Sequence, residues 1–142
     1  MRAGRRTVRA AMTRTIRRFF EARPESVGRA RAFVTEILAE WGVSGRAEDI
    51  RLCVSELATN AVVHGTAPGH GFLVGLVVEG DVVRTEVHDG RARRPKARRA
   101  TAVDTTGRGL ALVDALADGW GVEERIPCGK LVWACFKTAG EI

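Results

Sequence analysis

The chain has 142 residues, 45% of them hydrophobic, enough for one domain to bury a core without disulfide or metal staples. Its net charge of +6 is unevenly placed: residues 1–20 hold seven arginines and no acid, and residues 91–99 (RARRPKARR) hold six basic residues and no acid. The remainder is acidic on balance, so the basicity belongs to an arm and a loop, which suits an anionic ligand or partner better than a uniformly DNA-coating surface.

No window approaches the ~18 apolar residues of a membrane-spanning helix. The positive N-terminus lacks the apolar run of a secretory signal, so a cytoplasmic location is expected. Cys53, Cys128 and Cys135 are odd in number and widely spaced. They are expected to be reduced thiols, with neither a disulfide framework nor a C-x-x-C metal knuckle.

In chain order, residues 1–13 form a basic arm expected to lack regular structure, and residues 14–142 a single domain. Thr15–Phe20 reads as a first strand. A first helix is expected from Val27 to Trp41, with Ser26 as its N-cap and apolar positions Ala30, Phe33, Val34, Ile37, Leu38 and Trp41 at intervals of three and four. After GVSG, a second helix is expected from Ala47 to His64 on an Ile50, Cys53, Val54, Leu57, Ala61 stripe. FLVGLVVE and VVRTEVHD follow as a hairpin turning at Gly80–Asp81.

Residues 90–106 have no apolar period, and a loop that long in a compact domain is usually functional. GRGLALVDALAD resumes as a helix, and WGVEER and KLVWACF close as strands. The order β-α-α-β-β-loop-α-β-β, with strands joined by short turns, predicts an α+β two-layer sandwich with a mainly antiparallel sheet and helices on one face.

Three local motifs carry candidate chemistry. Glu56, Asn60 and His64 recur at intervals of four along one edge of the second helix, beside its apolar stripe. Such a row is either a solvated edge or the wall of a pocket. A carboxylate there accepts protons, and a carboxamide offers a hard oxygen suited to Mg²⁺. Gly107, Arg108, Gly109 and Leu110 open a helix, where glycines and free first-turn N–H groups favour a bound anion, or simply provide a flexible entry. Asp89–Gly90 closes a strand, and its acid either reaches a ligand donor or folds back as an Asx-turn. Neither a Walker loop nor a dinucleotide-binding glycine fingerprint is present.

Taken in order, E-x-x-x-N-A-x-x-H on a helix, a strand ending in D-G, a loop, and G-x-G-L opening a helix resemble the GHKL superfamily, whose ATPase domains in gyrase and histidine kinases share the Bergerat fold. The short single-domain layout resembles the anti-sigma-factor serine/threonine kinases, and the actinobacterial ATP-binding regulators of that type. The resemblance covers about Thr15 to Phe136 and implies ATP and Mg²⁺ as ligands. It implies Glu56 as the catalytic base, Asn60 as the Mg²⁺ ligand, and Asp89 with Gly90 at the adenine. Gly107, Arg108, Gly109 and Leu110 would lie around the phosphates, with residues 90–106 as the lid. His64 would be a structural hydrogen-bonder. The implied partners are an anti-anti-sigma (antagonist) protein, a sigma factor, or both, and a homodimer is compatible with the pattern.

Gly90 directly follows Asp89, one place earlier than the family's usual glycine. A non-catalytic ATP-binding or partner-binding regulator therefore stands as the alternative to a kinase. Nucleic-acid binding through the arginine arm is a minor one, since the arm lacks the aromatic periodicity of a single-strand binder.

Overall fold

The computed structural model describes residues 13–65, 70–89, 110–124 and 129–138. Five strands, β1 (Thr13–Glu21), β2 (Gly71–Glu79), β3 (Val82–Asp89), β4 (Gly119–Glu124) and β5 (Lys130–Lys137), form one sheet in the order β1-β2-β3-β5-β4. Every neighbouring pair is antiparallel. Two long helices, α1 (Pro24–Glu40) and α2 (Ala47–Asn60), and a shorter one over residues 110–116 (α3) complete the α+β sandwich. The element order is the expected one.

Period-two alternation decides which sheet face is covered. Phe72, Val74 and Leu76 of β2, Val83, Thr85 and Val87 of β3, and Ala134 and Phe136 of β5 are buried in matching register. They pack with Phe33, Val34, Ile37 and Leu38 of α1, Ile50, Cys53, Val54 and Leu57 of α2, and Val113 of α3. Phe20 adds a third ring, stacked 5.7 Å from Phe72 and tilted 6.0 Å from Phe33. Among the described residues no helix is long and apolar enough to cross a membrane.

The structure shifts two boundaries. α1 begins at Pro24 with Arg23 as N-cap, so Ser26 lies buried inside the first turn and caps nothing. Proline's fixed φ and missing N–H suit the first helical position, which brings the start forward by a turn. The second helix ends as an α-helix at Asn60 and continues as a π turn, Ala61–Gly65. A π turn admits an extra residue per hydrogen bond and is frequent at functional sites. The hairpin turn is as expected, with Gly80 at φ 61°, a left-handed conformation that favours glycine.

Cys53 and Cys135 are free thiols. Cys128, the expected lid over residues 90–106 and the arm before Thr13 lie outside the described residues; Thr13 itself opens β1.

Candidate functional site

α2 buries Ile50, Cys53, Val54, Leu57 and Ala58. Glu56 and Asn60 flank this stripe four residues apart, and both are half-buried. The Nδ2 of Asn60 is buried and has no hydrogen-bond partner. Leaving a buried amide donor unpaired costs about 1–3 kcal/mol, so such a group in a folded chain asks for an explanation. The π turn starts at the next residue and carries His64, which is exposed and makes an interaction of its own.

The direction of α2 decides what stands near this edge. Arg46, its N-cap, donates from Nη1 to the carbonyl oxygen of Lys137 at 3.0 Å, and Lys137 pairs with Val82 at the start of β3. The π turn at the far end of α2 packs against β2 and β3. α2 therefore runs along β3, and Asn60 comes to the end of the sandwich where β3 finishes at Asp89. Asp89 is only 8% exposed, a buried carboxylate that has a partner. In register it stands between Phe72 of β2 and Lys130 of β5.

Glu56, Asn60 and Asp89 thus gather at one end of the helix–sheet layer. Leu110 is the first residue of α3, half-buried and packed on the core through a helix whose Val113 is fully buried. Gly90, Gly107, Arg108 and Gly109 lie outside the described residues. No group of three or more His, Cys, Asp or Glu side chains among the described residues could hold a metal ion.

Two polar clusters escaped the sequence reading. On the uncovered sheet face Glu86 is 7% exposed, held by Arg84 Nε at 2.9 Å, by His88 Nε2 at 3.0 Å and by Arg17 Nη2 at 3.7 Å. Burial would push its carboxyl up, but the hydrogen bonds from His88 and Arg84 outweigh this and hold it below the usual glutamate value. Arg84 also lies 4.8 Å over the Trp133 ring. The strand pattern RTEVHD shows the alternation, but it cannot show that two guanidinium groups and an imidazole converge on one glutamate.

The second cluster centres on Arg46, which also bonds Asp49 at 3.2 Å and Asp118 at 3.0 Å. The backbone N–H of Lys137 and the Arg46 guanidinium hold Asp118 below its ordinary value. The Asp49 three places on was the one available signal for this cluster. Under α2, burial pushes the Cys53 thiol up to about 12.

Residues 20–136 match the histidine kinase-like ATPase domain family. The chain is 26% identical over 125 residues to the anti-sigma F factors of Geobacillus thermodenitrificans (strain NG80-2) and Geobacillus stearothermophilus, covering 80% of this chain and 86% of each relative. In structure it is similar to the RsbU and RsbW domains of a Mycobacterium tuberculosis protein, with a TM-score of 0.68 and 24% identity. That likeness covers 87% of this chain and 32% of the other, and it concerns the fold. The matched span contains both α2 and the strand ending at Asp89, and the antiparallel sheet under a helix layer is the arrangement the motif order implied. The chain belongs to the histidine kinase-like ATPase domain family of the GHKL type.

Proposed function

We propose that the chain is a Mg-ATP-dependent regulator of the anti-sigma-factor type, which phosphorylates a serine or threonine of a small anti-anti-sigma protein and acts on a sigma factor through that exchange. The observation that carries it is the orphaned amide of Asn60, buried beside Glu56 at the end of the sandwich shared with Asp89. A polyphosphate brought to this edge supplies acceptor oxygens for Nδ2. The amide's Oδ1 would offer Mg²⁺ a hard oxygen ligand. When bound, the ion would supply neutralisation of charge on the triphosphate.

The chain's own groups have distinct parts. Glu56, half-buried and one turn before Asn60, accepts the proton of the attacking hydroxyl. The hydroxyl oxygen bonds to the terminal phosphorus, the bond from that phosphorus to the bridging oxygen breaks, and ADP leaves with the electron pair. Asp89 accepts a hydrogen bond from the exocyclic amine of adenine, which selects adenine over guanine. Leu110, with Gly107, Arg108 and Gly109 before it, flanks the phosphates. Positioning and charge neutralisation dominate such a transfer, so few side chains suffice. The relatives named anti-sigma F factors support the partner class.

The test is transfer from γ-labelled ATP to a purified antagonist protein. Glu56→Ala is expected to abolish labelling while calorimetric ATP uptake persists. Labelling equal to wild type removes Glu56 from the role of base.

A second reading, a non-catalytic regulator that binds ATP and works by association, is favoured by Gly90 standing directly after Asp89. It predicts ATP uptake by the wild-type chain with no transfer to any antagonist.

A further inference from the structure

We propose that Arg46 is a positioning residue for the nucleotide pocket, locking α3 to the N-terminal end of the helix that carries Glu56 and Asn60. The inference rests on the ATP-binding reading above and deepens it. One guanidinium makes four hydrogen bonds. Nε donates to Asp49 within α2 at 3.2 Å, Nη1 to Asp118 Oδ2 and to the Lys137 carbonyl, both at 3.0 Å, and Nη2 to the Leu116 carbonyl at 2.7 Å.

Leu116 is the last residue of α3, and a terminal helix carbonyl has no partner inside its own helix. Arg46 supplies that partner from another element. Its face also lies 5.3 Å over the Phe136 ring in the core, and its side chain is 24% exposed. The fork geometry and the stacking are features a lysine cannot reproduce.

The clamp joins the two helices that bear the expected pocket residues. α2 brings Glu56 and Asn60; α3 begins at Leu110. α3 spans only about 10 Å at 1.5 Å per residue, so a tilt at its Leu116 end displaces Leu110 by a comparable amount. That end also packs Leu116 and Ala117 against the core, and the Asp118 N–H donates to the Cys135 carbonyl at 2.9 Å. Trp120 Nε1 donates to Asp114 Oδ1 at 2.7 Å, and the Ala117 N–H reaches the Val113 carbonyl at 2.8 Å. Arg46 adds a hydrogen-bonded tie that crosses from α3 to α2.

The experiment compares Arg46→Ala and Arg46→Lys with Val54→Ala, a fully buried core change on the same helix that leaves the clamp intact. Amide hydrogen exchange over residues 110–116, measured without nucleotide, is expected to accelerate about tenfold in Arg46→Ala, less in Arg46→Lys, and little in Val54→Ala. Calorimetry is expected to show ATP affinity about tenfold weaker in Arg46→Ala, with adenosine affinity unchanged and both affinities kept in Val54→Ala.

Unchanged exchange in Arg46→Ala overturns the clamp whatever the nucleotide does. Equal losses of ATP and adenosine, or the same losses in Val54→Ala, overturn the positioning role in favour of general destabilisation. A wild-type chain that takes up no ATP overturns the pocket reading and the pocket role with it, while the exchange data still score the clamp.

Discussion

The backbone N–H of Lys137 donates to Asp118 Oδ2 at 2.6 Å, the same oxygen that receives the Arg46 guanidinium. Through this one carboxylate the β3–β5 side of the sheet, the start of β4 and the start of α2 are joined. Asp118 and Glu86 are both held below their ordinary values in the folded chain. The stability they add is present above the unfolded pKa and is lost as pH falls through the folded one. Urea unfolding followed at a series of pH values is expected to show flat stability near neutrality and a decline beginning below about pH 4.5, the ordinary glutamate value. Asp118→Asn is expected to lower stability at pH 7 and to make that decline shallower.

Asn60→Leu separates fold from function. Replacing an unpaired buried donor with an apolar side chain of similar size removes a cost of about 1–3 kcal/mol. The thermal midpoint is expected to hold or rise while ATP uptake is lost, the exchange of stability for function seen at binding sites. A midpoint that drops as far as that of a core truncation would make the amide structural.

Gly121 lies under Trp133. A Cβ placed there would meet the indole carbons and nitrogen at 2.8 Å, well inside ordinary contact. Gly121→Ala is expected to destabilise by about 1–3 kcal/mol. Trp133→Leu in the same chain should recover part of that loss, because the clash depends on the ring. Denaturant midpoints of the two single variants and the double variant form the cycle that checks it.

Phe33 is 1% exposed, with Phe20 on one side and the Arg18 guanidinium 4.5 Å from its ring. Phe33→Ala is expected to cost about 3–5 kcal/mol in urea unfolding.

Cys53 is fully buried and its thiol is pushed up to about 12, so it is expected to resist a disulfide exchange reagent at pH 8 in the native chain and to react once the chain unfolds in urea. Because its folded value is raised, the stability it lends is present below the unfolded thiol value and lost as pH rises toward about 12. Rapid labelling of Cys53 in the native state would show that α2 opens.

The sequence by itself determined the element order, the apolar stripes of α1 and α2 and the alternation in β2 and β3, because these follow from periods of 3.6 and 2 that neighbouring residues express locally. It also carried the motif order in which Glu56, Asn60 and Asp89 stand, and so the family. Helix ends were less legible: Pro24 started α1 ahead of Ser26, and the widening to a π turn after Asn60 depends on packing against β2 and β3 that no local pattern encodes.

Only the tertiary structure decided that Asn60 and Asp89 stand toward the same end, since that depends on α2 running along β3. It alone brought Arg46 to partners 70, 72 and 91 residues away and closed two arginines and a histidine over Glu86. The physical reason is the same in each case. Hydrophobic periodicity is a property of adjacent positions, whereas a hydrogen bond or an orphaned amide is a property of which distant surfaces the packed core brings face to face.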